Sequence, residues 1–291
     1  MDESDTGSAE CRSEVGGGGG KGGDGGRRDA KAASGSYEWA EWTLSIQDGC
    51  ERACKYCFGH QFAGQYKRGC SSSWNLPTIR RAAVYRGYRL RKGTGMFPST
   101  HDISPANLIE CEIVLTKLLK AGNRMLVVSK PQLMCVKHLC RNLGAYRDQM
   151  LFRFTIGSAD NAILRFWEPG APLFEERLQA LAFAHTAGFQ TSVSCEPMLD
   201  LNIGTVIEAV RPHTTHSIWL GRVNNLRGAL TMNYPDDKEA RRRADELLAS
   251  QTDDYLRSLY QRYKDDPLIF YKDSIKKAVG LARPTKAGLD V

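Results

Sequence analysis

The sequence predicts an α/β fold, a partial (β/α)6 barrel of the TIM type, with a disordered glycine-rich N-terminal tail and a C-terminal helical extension. Three observations predict it. Strand-like and helix-like segments alternate six times between Tyr37 and Asn225. Gly122 and Gly188 stand where helix C-terminal glycines belong, each just before the next strand-like run. The far ends of all six strand-like runs carry polar residues on mostly apolar bodies. Repeated strand-then-helix order implies a parallel sheet. Right-handed crossovers curl such a sheet into part of a barrel, with its chemistry at the carboxyl ends of the strands.

In chain order, residues 1–36 are low in complexity, with Gly16 to Gly20 consecutive. Such a segment cannot bury enough apolar surface to offset its ordering entropy, and it reads as a disordered tail. The barrel domain follows over 37–234. Its strands are expected at 41–47, 94–98, 124–129, 151–157, 190–195 and 217–221. Its helices are expected at 52–64, 106–121, 132–147, 173–187 and 204–211, where apolar residues recur at three- and four-residue spacing. The third region, 235–291, reads as a helical extension packed on the barrel. It holds one long charged helix over 235–265, an apolar strand-like run at Leu268-Ile269-Phe270-Tyr271 and a basic helix-like turn at 272–279.

A length of 291 residues suits one barrel of the larger kind. The formal charge is +7. Seven acids and five bases fall in the first 36 residues, which leaves about +9 on the remainder, compatible with an anionic partner such as nucleic acid. Nine cysteines are too sparse for a secreted disulfide scaffold. There is no apolar run of about 18 residues and no signal-like start, so neither a membrane span nor secretion is expected, and a reducing cytoplasm is the expected compartment.

The chemistry concentrates at Cys50, Cys54 and Cys57, spaced C-x3-C-x2-C after the first strand and the Asp48-Gly49 turn. A structural zinc site closes with four ligands, whereas a cubane iron–sulfur cluster takes one soft ligand per iron. Three cysteines without a fourth leave one iron open. The competing reading is a non-catalytic zinc- or iron–sulfur-stabilised nucleic-acid-binding protein, with Cys70 or His60 as fourth ligand. Over 80–92, Arg80, Arg81, Arg86, Arg89, Arg91 and Lys92 interleave with Tyr85 and Tyr88, a composition suited to DNA or RNA and equally to a solvated face. Cys111, Cys135 and Cys140 read as buried packing. On the fifth strand Ser192, Ser194 and Glu196 share one face, with Cys195 on the other.

The cysteine spacing, with Tyr56 just before the last cysteine, resembles the signature of the radical S-adenosylmethionine superfamily. Phe97-Pro98-Ser99-Thr100-His101-Asp102, Val128-Ser129-Lys130 and Phe154-Thr155-Ile156-Gly157-Ser158 resemble strand-end motifs of its spore photoproduct lyase and DNA repair photolyase-like branch. The resemblance implies a [4Fe–4S] cluster on the three cysteines and S-adenosylmethionine chelated to the unique iron. It also implies an electron from a flavodoxin- or ferredoxin-type donor, and a 5′-deoxyadenosyl radical that abstracts hydrogen from the substrate. It places Tyr56, Ser99, Lys130, Ser158 and Glu196 around the cofactor: Tyr56 near adenine, Lys130 and Ser158 at the carboxylate and ribose, Glu196 at ribose or the methionyl amine. Ser99 stands where the lyase carries its hydrogen-donor cysteine, and a hydroxyl cannot replace a thiol in that step. The resemblance therefore implies lyase-like radical chemistry on an unidentified substrate, nucleic acid among the candidates.

Overall fold

The computed structural model describes residues 35–65 and 74–288, all within one contact unit spanning 32–291. Residues 1–34 of the expected tail, and Cys70, lie outside the described residues. In chain order the elements begin with β1 (Trp42–Thr43), β2 (Gln47–Asp48), α1 (Phe58–Gln65), β3 (Thr78–Ile79), α2 (Arg81–Tyr85), β4 (Thr94–Phe97), α3 (Leu108–Lys120) and β5 (Arg124–Ser129). They continue with α4 (Leu133–Asn142), β6 (Met150–Thr155), α5 (Asn161–Trp167), α6 (Phe174–Thr186), β7 (Gln190–Met198), α7 (Ile203–Val210) and β8 (Ser217–Arg222). The chain closes with α8 (Leu226–Asn233), α9 (Lys238–Ser250), α10 (Asp253–Tyr263), β9 (Ile269–Tyr271) and α11 (Asp273–Val279).

Seven strands form one sheet in the order β1-β4-β5-β6-β7-β8-β9, every neighbouring pair parallel. The strands read as apolar runs because both faces are covered, as in β6, where Met150 to Arg153 and Phe154 are all buried. On the outer face the helices supply the other half of the core. Ala180, Leu181 and Ala184 of α6 pack in the same cluster as Phe152, Phe154 and Val193. Cys111, Cys135, Cys140 and Cys195 are buried in that cluster too, as small apolar groups. No described helix is long and apolar enough to cross a membrane.

The structure departs from the expected layout in four places. The run at 268–271 supplies a seventh strand, β9, paired with β8, where the sequence reading had six. The single helix expected over 235–265 is two, α9 and α10. Gln251 leaves helical geometry with ψ 52° and donates to Met198 O at 2.8 Å, and Thr252 then caps α10 by accepting Tyr255 N at 3.2 Å. The first helix begins at Phe58 rather than 52, because Ala53 sits in the left-handed region at φ 51°. Helices α2, α5 and α8 were not foreseen, since five to eight residues give too little periodicity to read.

Among the described residues β1 pairs with β4 alone and β9 with β8 alone, so these two strands form the edges of the sheet. Residues 35–41 touch both. Lys272, just after β9, donates to Gly35 O at 2.9 Å, and Glu38 accepts the Asp273 amide at 3.0 Å. Glu41 N bonds Thr94 O at 3.1 Å beside β1. Trp39 turns inward, edge-on to Trp219 with ring centres 5.7 Å apart. The fully buried Arg153 guanidinium lies 4.5 Å from the Trp39 ring and 5.2 Å from that of Trp219. Burial lowers its pKa to about 9.

Candidate active site

A cavity of about 390 Å³ opens at the carboxyl ends of the strands. Cys50, Cys54 and Cys57 line it together with Tyr56, Ser99, Lys130 and Glu196, so seven of the eight sequence-selected residues meet in one space. Ser158 does not line it. Fully buried, its hydroxyl donates to the Asp200 carboxylate and accepts Asp160 N at 2.9 Å, which shapes the loop from which Asp160 caps α5. Thr155 and Ser194 are the hydroxyls that β6 and β7 present to the cavity.

The cysteine loop is held from several distant segments. Arg52, buried inside the motif, donates to Gly170 O at 2.8 Å, to Gln132 Oε1 at 3.1 Å and to Ile103 O at 3.4 Å. Its own carbonyl accepts Gly170 N at 3.0 Å. A Cβ on Gly170 would lie 2.5 Å from Glu51 O and 2.9 Å from Arg52 Cα, so only glycine permits this approach. From the other side Asn233 Nδ2 donates to Cys57 O at 3.0 Å, Tyr234 OH to Ala53 O at 2.7 Å, and Lys55 pairs with Asp237 at 2.5 Å. The Cys57 sulfur accepts the His60 amide at 3.4 Å.

Burial pushes the Cys50 thiol up to about 12, with the Asp102 charge adding to it, and burial likewise raises Cys54 and Cys57. Thiols in such a place ionise when a bound cation replaces their protons. Among the described residues no group of three or more His, Cys, Asp or Glu side chains is gathered as a metal-ion site. A cubane spreads its thiolates over separate irons, which three cysteines along one loop can supply. His60, weighed as a fourth ligand, stacks on Trp74 with ring centres 5.4 Å apart. The other candidate, Cys70, is outside the described residues. These residues fit a three-cysteine cluster.

Lys130 ends β5 beside Tyr56, its ammonium 5.8 Å from the ring centre, and pairs with Asp102 at 3.4 Å. Burial works against the lysine's charge, but Asp102, with smaller contributions from Cys54, Tyr56 and Glu168, outweighs it and holds Lys130 above the usual lysine range. Asp102 also accepts Lys130 N at 2.6 Å and Ser129 Oγ at 2.9 Å. Burial opposes its charge; Lys130 and then Arg52 outweigh that and lower its pKa. His101 accepts Ile46 N through Nε2 at 3.3 Å, which leaves Nδ1–H to donate to Asp102 O at 3.0 Å. Burial lowers its pKa and favours that neutral form. Ser99 is tied by the Ser45 hydroxyl at 3.0 Å. The Tyr56 hydroxyl donates to Glu168, itself ion-paired with Arg177 in full burial.

Glu196 lines the cavity from β7, at a register irregularity between Cys195 and Met198. Its carboxylate accepts Asn224 Nδ2 at 3.3 Å and faces Lys272 at 3.4 Å, while Lys272 also pairs with Glu38 at 2.8 Å. Burial raises the Glu196 pKa, and Lys272 only partly counters it. Asp102, Arg52, Gly170, Glu38 and Lys272 were not singled out as site residues by sequence. The polar strand-end signal covers Asp102 alone.

The basic segment 80–92 is largely exposed, with Tyr85 64% accessible. It starts at the cavity wall: Arg80 donates to Ser45 O at 2.6 Å, and Ser45 holds Ser99.

No protein-family model and no curated protein matches the chain. Solved structures do. SuiB of Streptococcus suis bound to its precursor peptide SuiA aligns with TM-score 0.50 and 9% identity, over 84% of this chain and 51% of that one. SuiB bound to S-adenosylmethionine aligns at 0.48 and 9%, over 83% and 52%. The chain thus spans about half the length of SuiB. Spore photoproduct lyase complexed with dinucleoside spore photoproduct aligns at 0.48 and 15%, over 84% and 79%. At these identities the likeness is one of fold: the chain shares a partial parallel barrel with SuiB.

Proposed function

We propose that the chain is a radical S-adenosylmethionine enzyme that acts on nucleic acid or a nucleotide. The observation that carries this reading is the placing of Cys50, Cys54 and Cys57 on one loop at the rim of the cavity, at the carboxyl ends of a parallel sheet. The three cysteines would hold a [4Fe–4S] cluster, which when bound supplies the electron for reductive cleavage of S-adenosylmethionine; the electron would come from a flavodoxin- or ferredoxin-type protein. The chain's own residues bind and orient. Lys130, held by Asp102 at 3.4 Å, offers an ammonium to the cofactor carboxylate. The Tyr56 ring, pinned through its hydroxyl by Glu168, offers a face for adenine. Ser99 and Thr155 give hydroxyls along the same wall. The exposed arginines of 80–92 would take phosphates of a substrate strand whose nucleotide enters past Ser99.

Anaerobic reconstitution tests the reading: wild type should take up about four iron and four sulfide per chain and cleave S-adenosylmethionine with dithionite. Cys54→Ala should lose both, and cleavage retained by this variant would sink the idea. Binding to single-stranded DNA or RNA should weaken steeply as salt rises from about 50 to 200 mM. Affinity that ignores salt would remove the nucleic-acid part.

A further inference from the structure

The cavity has a second polar centre, to which the proposed function gives no role. Glu196, Asn224 and Lys272 line it from the ends of β7, β8 and β9. The backbone builds this centre. The irregularity at 195–198 lets Glu196 leave the regular ladder, a use to which bulges beside active sites are often put. Gly221 makes room: a Cβ there would stand 3.0 Å from Lys272 Cβ and 3.1 Å from Glu196 Cγ.

Its charges do not balance. One lysine serves two carboxylates, Glu38 at 2.8 Å and Glu196 at 3.4 Å. Glu38 is 1% exposed and takes the shorter contact, whereas the Glu196 side chain is 20% exposed on the cavity. The two Glu196 oxygens have about four acceptor positions. They meet one amide at 3.3 Å and the shared ammonium at 3.4 Å, so accepting capacity remains and faces inward. An ionised carboxylate only accepts, and a ligand carbonyl placed against it would leave two acceptors facing each other.

We propose that Glu196 is the specificity-determining group for substrate, taking the amino N–H donors of a nucleobase and rejecting a base that presents carbonyls there. The proposal rests on the reading above, which gives the cysteine side to the cofactor. A nucleobase is favoured over an arginyl or lysyl peptide because the basic segment 80–92 begins at this cavity, through Arg80, Ser45 and Ser99.

The test uses anaerobically reconstituted protein saturated with S-adenosylmethionine and without reductant, so that no cofactor is consumed. Guanosine, cytidine and thymidine are titrated calorimetrically into wild type, Glu196→Gln and Asn224→Ala. The aminated nucleosides should bind wild type tighter than thymidine by about tenfold or more, and Glu196→Gln should erase that preference. Asn224→Ala should weaken the preference less. Equal binding of thymidine, or a preference that survives in Glu196→Gln, overturns the proposal. A larger loss from Asn224→Ala than from Glu196→Gln would move recognition to the amide and also overturn it. Binding of benzamidine but of none of the nucleosides would assign the centre to a peptide. If Glu196→Gln instead loses about tenfold in cofactor affinity, the carboxylate serves the cofactor and the substrate role falls while the enzyme reading stands. Wild type that binds neither iron nor S-adenosylmethionine fails the enzyme reading itself, a result distinct from all of these.

Discussion

The cavity wall formed after β1, β4 and β5 carries three thiols on one loop and a matched ion pair, Lys130 with Asp102; the wall formed at the ends of β7, β8 and β9 carries Glu196 and Lys272, a lysine that also serves Glu38 of the segment before β1. The first wall is held largely by hydrogen bonds between backbone and side chain, from Gly170, Ile103, Gln132, Asn233 and Tyr234. The second is held by shared charge. Hydrogen bonds to backbone fix a position whatever else binds, as a large cofactor requires. A charge cluster left unbalanced keeps one group ready for a ligand.

The contrast can be broken most forcefully at Lys272. Lys272→Met leaves Glu38 and Glu196 in low dielectric without a cation and should cost about 3–5 kcal/mol, read from urea unfolding. Replacing both carboxylates by Gln in that background should restore most of the loss. A single-variant loss below about 1 kcal/mol would mean that water already screens the cluster. Next in size is Gly170→Ala. The added methyl meets backbone at 2.5 Å and should cost about 1–3 kcal/mol, together with a fall in iron uptake that Lys272→Met does not share. Equal iron loss in the two variants would show that the walls are not independent.

The smallest effect lies in pH. Glu196 has a folded-state pKa raised by burial, so the native state takes up a proton on folding. Wild type should therefore lose a little stability as pH rises from the ordinary carboxylate range through that raised value. Glu196→Gln should lack that component of the slope, so the variant gains on wild type toward neutral pH and matches it in acid. Parallel stability curves across that range would refute the raised pKa.

The two walls also differ in how far they could be read in advance. Cys50, Cys54, Tyr56 and Cys57 fall within eight residues, and a local spacing is visible without knowing the fold. Lys130 and Glu196 were found because strand ends are predictable once strand-like runs are seen. Glu38 and Lys272 are 234 positions apart and acquire meaning only when the seventh strand pairs with the sixth, which a three-residue run hardly announces. Arg52 carries no sequence signal of its role, because its three acceptors come from three other segments. Ser158 failed for the converse reason. Its motif placed it correctly at the end of β6, but whether a hydroxyl faces the cavity or a neighbouring aspartate depends on the turn that follows.

Residues 35–41 bridge the two edges of the sheet, and this sets an order of events during synthesis. Gly35 meets Lys272, and Tyr37 O accepts the amide of Gly288 at 3.0 Å. On a ribosome these partners are made after all three cysteines, so the cysteine loop is synthesised before the contacts that tie residues 35–41 to the β9 edge can form.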